Sequence, residues 1–179
     1  MKAYLTTIGE KTTDICRWNL ERFGFEVIML NKLESWIDKY KNFINIADEN
    51  CLRIDSDVLV NKNINDCLLL GDKDMVQFQC FDIYRNDIWV TCPVFYGKTI
   101  LQIIRNNIEK LDLYRPETSA WRLPDVLPHT KSYVDKVYGS HGLFQDEETM
   151  KRAYKNKQDR NQLDQYDFEL INKLYGIGK

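Results

Sequence analysis

The sequence predicts an α/β fold in a single domain, with a mixed, mainly parallel central sheet flanked by helices. Two observations predict it. Over the first sixty residues, strand-like runs and runs of helical period alternate, and such alternation implies parallel strands joined by right-handed crossovers. The run Leu52–Val60 is apolar on both sides of two aspartates, as a strand inside a sheet would be. At 179 residues the chain can bury one sizeable core but not comfortably two. We expect residues 1–61 to form a βαβαβ half, 62–146 a second half, and 147–179 a charged helical segment.

Taken in order, Lys2–Ile8 reads as a strand ending at Gly9-Glu10. Thr12 or Thr13 then caps a helix to about Phe23, with Ile15, Trp18, Leu20 and Phe23 facing the core and Gly24 ending it. Phe25–Leu30 is a second strand. Ser35 opens a second helix, with Asp38 three residues on in a weak capping box. Its apolar face is Trp36, Tyr40, Phe43, Ile44 and Ala47. A turn at Asp48-Glu49-Asn50 leads into the Leu52–Val60 strand.

Beyond Asn61 the pattern changes. Asn63–Leu70 reads as a short helix or turn ending at Gly71-Asp72, and Met75–Tyr84 and Ile88–Tyr96 as two strands. A helix follows from about Lys98 to Leu111, with Ile100, Leu101, Ile104, Ile108 and Leu111 as its stripe, and Arg115-Pro116 breaks it. Residues 115–130 hold three of the four prolines and read as an irregular loop over the sheet rim. Ser132–Tyr138 is a short strand or helix, and Gly139-Ser140-His141-Gly142 a tight loop. From Glu147 to about Tyr175 the chain reads as helical.

The formal net charge of -2 predicts no broad surface for nucleic acid or membrane. The five cysteines are odd in number and widely spaced, with no Cys-x-x-Cys pair, so we expect buried free thiols of a reducing compartment. Met1–Leu5 passes into polar Thr6-Thr7 without a signal-peptide run, and no segment has transmembrane length. The expected location is cytoplasmic.

The chemistry centres on Asp55-Ser56-Asp57. On a strand, residues two apart share a face, so both carboxylates would project together about 7 Å apart. Arg53 and Leu59 would share that face. Two close carboxylates repel unless a cation or proton intervenes, and hard oxygen ligands suit Mg²⁺ or Mn²⁺. Asp-x-Asp is equally what a polar turn between two short strands carries. Thr6-Thr7, Asn31 and Asp55-Ser56-Asp57 all fall near strand carboxyl ends, where ligands bind in sheets of this kind.

A βαβαβ unit ending in Ile54-Asp55-Ser56-Asp57-Val58 resembles the GT-A class of nucleotide-sugar glycosyltransferases, which carry an Asp-x-Asp motif after their nucleotide-binding half. The later strand pair ending at Tyr96-Gly97, the Pro-rich loop and the late His141 extend the likeness over most of the chain. The resemblance implies a Rossmann-like GT-A fold, with 1–61 as the nucleotide-binding half and 62–146 as the acceptor side. It implies a sugar-nucleotide donor and a glycan or small-molecule acceptor. Asp57 would ligate Mn²⁺ or Mg²⁺ on the donor diphosphate, and the cation would stabilise the leaving group as a Lewis acid. Asp55 would contact the ribose or the metal's water, and His141 would be a further metal ligand. Thr6, Thr7 and Gly9 would hold base and ribose, beside Ser56 of the motif. An acceptor-deprotonating carboxylate would come from Glu117 or Asp125, with Glu117 slightly favoured. Trp121 would stack on a sugar.

Two other readings stand beside this one. Asp55–Val60 also resembles the first motif of haloacid-dehalogenase-type phosphatases, with Gly71-Asp72-Lys73-Asp74 as their later acidic motif, although here two strand–helix units precede it. A non-catalytic sugar-nucleotide-binding domain is the third. There is no Gly-x-x-x-x-Gly-Lys-Ser/Thr loop and no Gly-x-Ser-x-Gly elbow.

Overall fold

The computed structural model describes residues 1–7, 9–31, 35–82 and 87–142. The expected helical segment 147–179 lies outside them, as do Ile8 and Tyr84. Among the described residues eight strands and four α-helices follow in the order β1 (Lys2–Thr7), α1 (Thr13–Arg22), β2 (Glu26–Asn31), α2 (Trp36–Ile46), β3 (Cys51–Asp55), β4 (Val58–Val60), β5 (Met75–Asp82), β6 (Asp87–Tyr96), α3 (Lys98–Asn106), α4 (Pro116–Trp121), β7 (Thr130–Tyr133) and β8 (Gly139–His141). A 3-10 segment, Lys62–Leu69, precedes β5.

The first half folds as its alternation predicts. β1 lies between β2 and β3, parallel to both. Beyond β3 the sheet is mixed: β6 is antiparallel to β3 and β5, β7 and β8 lie in sequence along the other edge of β5, and β4 is antiparallel to β8. The order is β2-β1-β3-β6-β5-β8-β4. This order forces the sheet to curl. Four inter-strand steps separate β3 from β4, about 19 Å if flat. Yet Asp55 and Val58 are three peptide steps apart, at most about 11 Å. The sheet must bend round until β8 and β4 stand beside the end of β3.

Both faces are covered. Ala3, Leu5, Leu52, Ile54, Val76, Phe78, Cys80 and Phe95 line the inner face under Cys16 and Leu20 of α1. Tyr4, Cys51, Val94 and Tyr96 face Tyr40, Phe43, Ile44, Ile100, Leu101 and Ile104 of α2 and α3. Strands buried on both sides carry apolar residues at both parities, as β1 and β3 do. Ser35 caps α2 by accepting the Asp38 N–H at 3.1 Å. All five cysteines are buried free thiols.

Four expectations need correction. The 52–60 run is two strands, β3 and β4, broken by a turn at Ser56-Asp57. The docked side of α1 is partly polar: Leu20 is buried as expected, but Ile15 and Trp18 are exposed, at 45% and 56%. Thr12 and Cys16 instead donate to the Ser56 carbonyl, and Asn19 bonds both backbone groups of Val60. A bent backbone needs partners for its polar groups, and α1 supplies them. Residues 116–121 form a short helix, with Pro116 at the first position where its missing N–H costs nothing. The tight loop expected at 139–142 is mostly strand. Gly139 permits it, because a Cβ there would meet the Leu59 carbonyl oxygen at 2.3 Å. Among the described residues no helix is long and apolar enough to cross a membrane.

Candidate active site

β1, β2, β3, β5 and β8 run in one direction, so Thr7, Asn31, Asp55, Asp82 and His141 end on one rim of the sheet. The Ser56-Asp57 turn lies in that rim. Its backbone is pinned from three sides. Ser56 N–H donates to Thr6 O at 2.9 Å, Gly142 N–H donates to Asp57 O at 3.0 Å, and Asp55 N–H donates to Cys92 Sγ at 3.0 Å.

The turn sends its two carboxylates apart, not to one face. Asp55 stays on the α2 side, 3.4 Å from Arg53. The Arg53 guanidinium is 2% exposed, reaches Glu117 of α4 at 2.5 Å and lies over the Tyr40 ring at 5.9 Å. Burial alone would lower the Arg53 pKa, but the Glu117 and Asp55 carboxylates outweigh it and the guanidinium is held firmly charged.

Asp57 turns toward β8. Its Oδ2 is 3.6 Å from His141 Nε2, and Asp82 Oδ2 is 3.2 Å from His141 Nδ1. The β8 register makes this trio: Asp82 and Val58 both pair with His141 across neighbouring strands. Burial pushes the Asp57 carboxyl up to about 6, against the pull of His141. Burial works the other way on His141, but Asp57 and Asp82 overcome it and push the imidazole up to about 9. His141 is therefore held toward its charged form between Asp57 and Asp82.

Two hydroxyls near the turn have internal partners. Ser56 Oγ and Thr7 Oγ1 both donate to Glu10 Oε2, at 2.6 and 2.7 Å. Gly9 takes a positive φ of 97° and its N–H donates to Thr7 Oγ1, a backbone state that suits glycine. Thr6 Oγ1, in register with Asp55, is buried without a hydrogen-bond partner. So is Trp121 Nε1, packed against the α2–α3 core.

The structure brings Thr6, Thr7, Gly9, Asp55, Ser56, Asp57 and His141 to one rim, with Glu117 reaching it through Arg53. Asp125 is not brought there. It is exposed and precedes β7, whose first residue pairs with the first residue of β5, at the opposite edge from Asp82. Lys41 pairs with Glu109 on the surface. Glu10, Arg53 and Asp82 are the site residues that sequence reasoning missed. Asp82 had a signal: it continues the buried alternation Val76, Phe78, Cys80 with a carboxylate.

Among the described residues, no group of three or more His, Cys, Asp or Glu side chains has metal-ligand spacing. Asp82 and Asp57 occupy opposite nitrogens of the same imidazole, so the trio cannot converge on one ion. Asp57 and His141 can. Two adjacent ligands of an octahedral ion, each about 2.1 Å from it, stand about 3.0 Å apart, near the observed 3.6 Å. Asp82 then fixes the imidazole tautomer from behind, as carboxylates behind metal-binding histidines do.

No family model and no curated protein matches this sequence. Among solved structures the chain is similar to A197 from STIV, with a TM-score of 0.54 and 12% identity over 74% of this chain and 82% of that one. That likeness is one of fold. A protein assigned as a glucose-1-phosphate thymidylyltransferase from Bacillus anthracis, solved with a sucrose, aligns at a TM-score of 0.43 and 8% identity, over 90% of this chain and 76% of that one. At that score the likeness says nothing about the site.

Proposed function

We propose that this protein is a metal-dependent glycosyltransferase of GT-A type, moving a sugar from a nucleoside diphosphate to a glycan or small acceptor. The observation that carries the reading is the Asp57–His141 pair, backed by Asp82, on the rim where open α/β sheets bind ligands. The rim is rich in carboxylates: Glu10, Asp55, Asp57 and Asp82 lie there, with Arg53 and His141 among the cations beside them. An anionic diphosphate is repelled there unless a divalent cation accompanies it. A cation with only two protein ligands also suits a donor whose phosphate oxygens complete the shell.

Mn²⁺ or Mg²⁺, held by Asp57 and His141, would supply Lewis-acid stabilisation of the departing diphosphate. The chain's own residues do the rest. Asp82 would hold His141 Nδ1–H, so that once the second ring proton leaves, Nε2 would offer its lone pair beside Asp57. Arg53 holds Asp55 and Glu117 in one ion cluster. Glu117, paired with Arg53 and 38% exposed at its side chain, would accept a proton from an acceptor hydroxyl. Thr6, Thr7 and Gly9 border the base and ribose. The location is cytoplasmic in this reading.

The phosphatase reading lacks its later acidic motif at the turn. Asp72 and Asp74 precede β5, at the sheet edge opposite the turn, and Asp74 is bound to Lys131 at 2.6 Å.

A thermal-shift panel of nucleoside diphosphates and sugar nucleotides, with and without Mn²⁺, tests the proposal. A ligand that binds only the native state raises its stability. We expect a metal-dependent shift with one base, lost in Asp57→Ala while that variant still unfolds cooperatively. Unchanged donor affinity in Asp57→Ala would sink the metal role. Phosphate release from simple phosphoesters without any nucleotide shift would favour the phosphatase.

A further inference from the structure

We propose that Trp89 is the stacking platform for the acceptor's sugar ring; this rests on the transferase reading above. The evidence starts from register. β6 is antiparallel to β5, with Trp89 opposite Cys80 and Asp87 opposite Asp82. Residues paired across antiparallel strands project to the same face, with diagonal neighbours within reach of a large side chain. Trp89 and Asp87 therefore share the face of Asp82, which carries His141 and leads to Asp57.

Burial along that face is the second observation. Val76, Phe78 and Cys80 are all fully buried, as the inner face requires. Directly across from Cys80 on β6, Trp89 is 49% exposed. The largest of the side chains sits where the apolar face opens to solvent, beside the carboxylates.

The third observation is the shape of the rim. β3 pairs with β6 only over Val94–Tyr96 and ends at Asp55. Residues 87–91 of β6 thus rise past the end of β3, paired with β5, as a wall above the Ser56-Asp57 turn. Trp89 is in that wall, on its inward side.

This chemistry selects a class of ligand. An indole face takes an apolar, flat partner, and carboxylates accept O–H groups. A pyranose offers both, a C–H face and a ring of hydroxyls. Its neutrality suits the place: Asp87 of β6 lies directly opposite Asp82, and a neutral polyol can donate O–H groups to carboxylates there. The donor diphosphate belongs at Asp57 and His141, so the neutral ring on Trp89 is the acceptor's. Trp89 is a positioning residue and takes no proton.

The test follows indole N–H signals by ¹H–¹⁵N NMR. The chain holds four tryptophans, and Trp89→Phe identifies the signal of Trp89 by its loss. Methyl pyranosides of glucose, galactose and mannose are titrated without nucleotide or metal. At least one should move the Trp89 signal and leave those of Trp18 and Trp36 in place. Trp89→Ala should bind that glycoside roughly tenfold more weakly, with Trp89→Phe between the two. In a transfer assay Trp89→Ala should raise the acceptor KM and leave donor affinity unchanged. If no glycoside moves the Trp89 signal, or if Trp89→Ala binds with wild-type affinity, the platform is refuted. Movement with a nucleotide but no glycoside overturns it too, in favour of base stacking. Metal-dependent donor binding is scored separately in Trp89→Ala, so the platform can fail while the transferase reading stands.

Discussion

Asp55 and Asp57 are two residues apart in one turn and have opposite electrostatic fates. Asp55 is tied to a permanent cation: Arg53 is buried, always charged and shared with Glu117. Asp57 is tied to a conditional one, because His141 carries charge only when protonated. The first side is a fixed ion cluster that holds α4 to the sheet. The second has a charge that protons can remove and that a metal could replace. The difference teaches where exchange with a ligand can occur. A carboxylate already neutralised by a buried guanidinium is a poor candidate to release its partner, whereas the Asp57–His141 pair gives up only a proton.

Three experiments bear on this contrast. The largest effect should come from Asp55→Asn combined with Glu117→Gln, which leaves Arg53 buried without counter-charge. A stability loss of about 3 kcal/mol is expected, at the low end for a broken buried pair because both carboxylates are partly exposed. The urea midpoint reports it, and a loss below about 1 kcal/mol would show that Arg53 is not held by these carboxylates.

The next effect is pH. The folded His141 pKa is raised from 6.5 to about 9, so its contribution is complete below 6.5 and is lost as pH rises through 9. The folded Asp57 pKa is raised from 3.8 to about 6, which adds a loss of the same sign at lower pH. With chelator present, stability should fall by about 2–3 kcal/mol between pH 6 and 9.5. His141→Gln should flatten the upper part of that slope; an unaltered slope would place the titration elsewhere. The smallest effect should be Asp57→Asn in metal-free protein, within about 1 kcal/mol of wild type, because burial already disfavours the Asp57 anion. A loss near that of the double amide would erase the contrast.

Much of the scaffold was legible in the sequence because apolar periodicity reports it. Tyr40, Phe43, Ile44 and Ala47 on α2, and Ile100, Leu101 and Ile104 on α3, lie where their spacing puts them. The parallel β2-β1-β3 half was legible for the same reason. Polar docking was not. Hydropathy favours Ile15 and Trp18 on α1, whereas the helix is seated by Thr12, Cys16 and Asn19 on a turn whose shape periodicity does not encode. The convergence of Asp82 on His141 was also illegible, since it depends on how β8 registers against β5. His141 itself could be named only through the resemblance. Its placement on a strand follows from Gly139, whose missing side chain lets two backbones approach.

The β4–β8 pairing also bears on the order of folding. Asp57 and His141 are more than eighty residues apart in the chain and meet only when β8 docks on β4. Contacts of such long range carry the largest loop-closure entropy and are rewarded late. The β2-β1-β3 unit can collapse early on contacts of much shorter range. The Asp57–His141 pair would then be completed at the end of refolding, and a ligand that needs both side chains would time the docking of β8, silent until that last strand arrives.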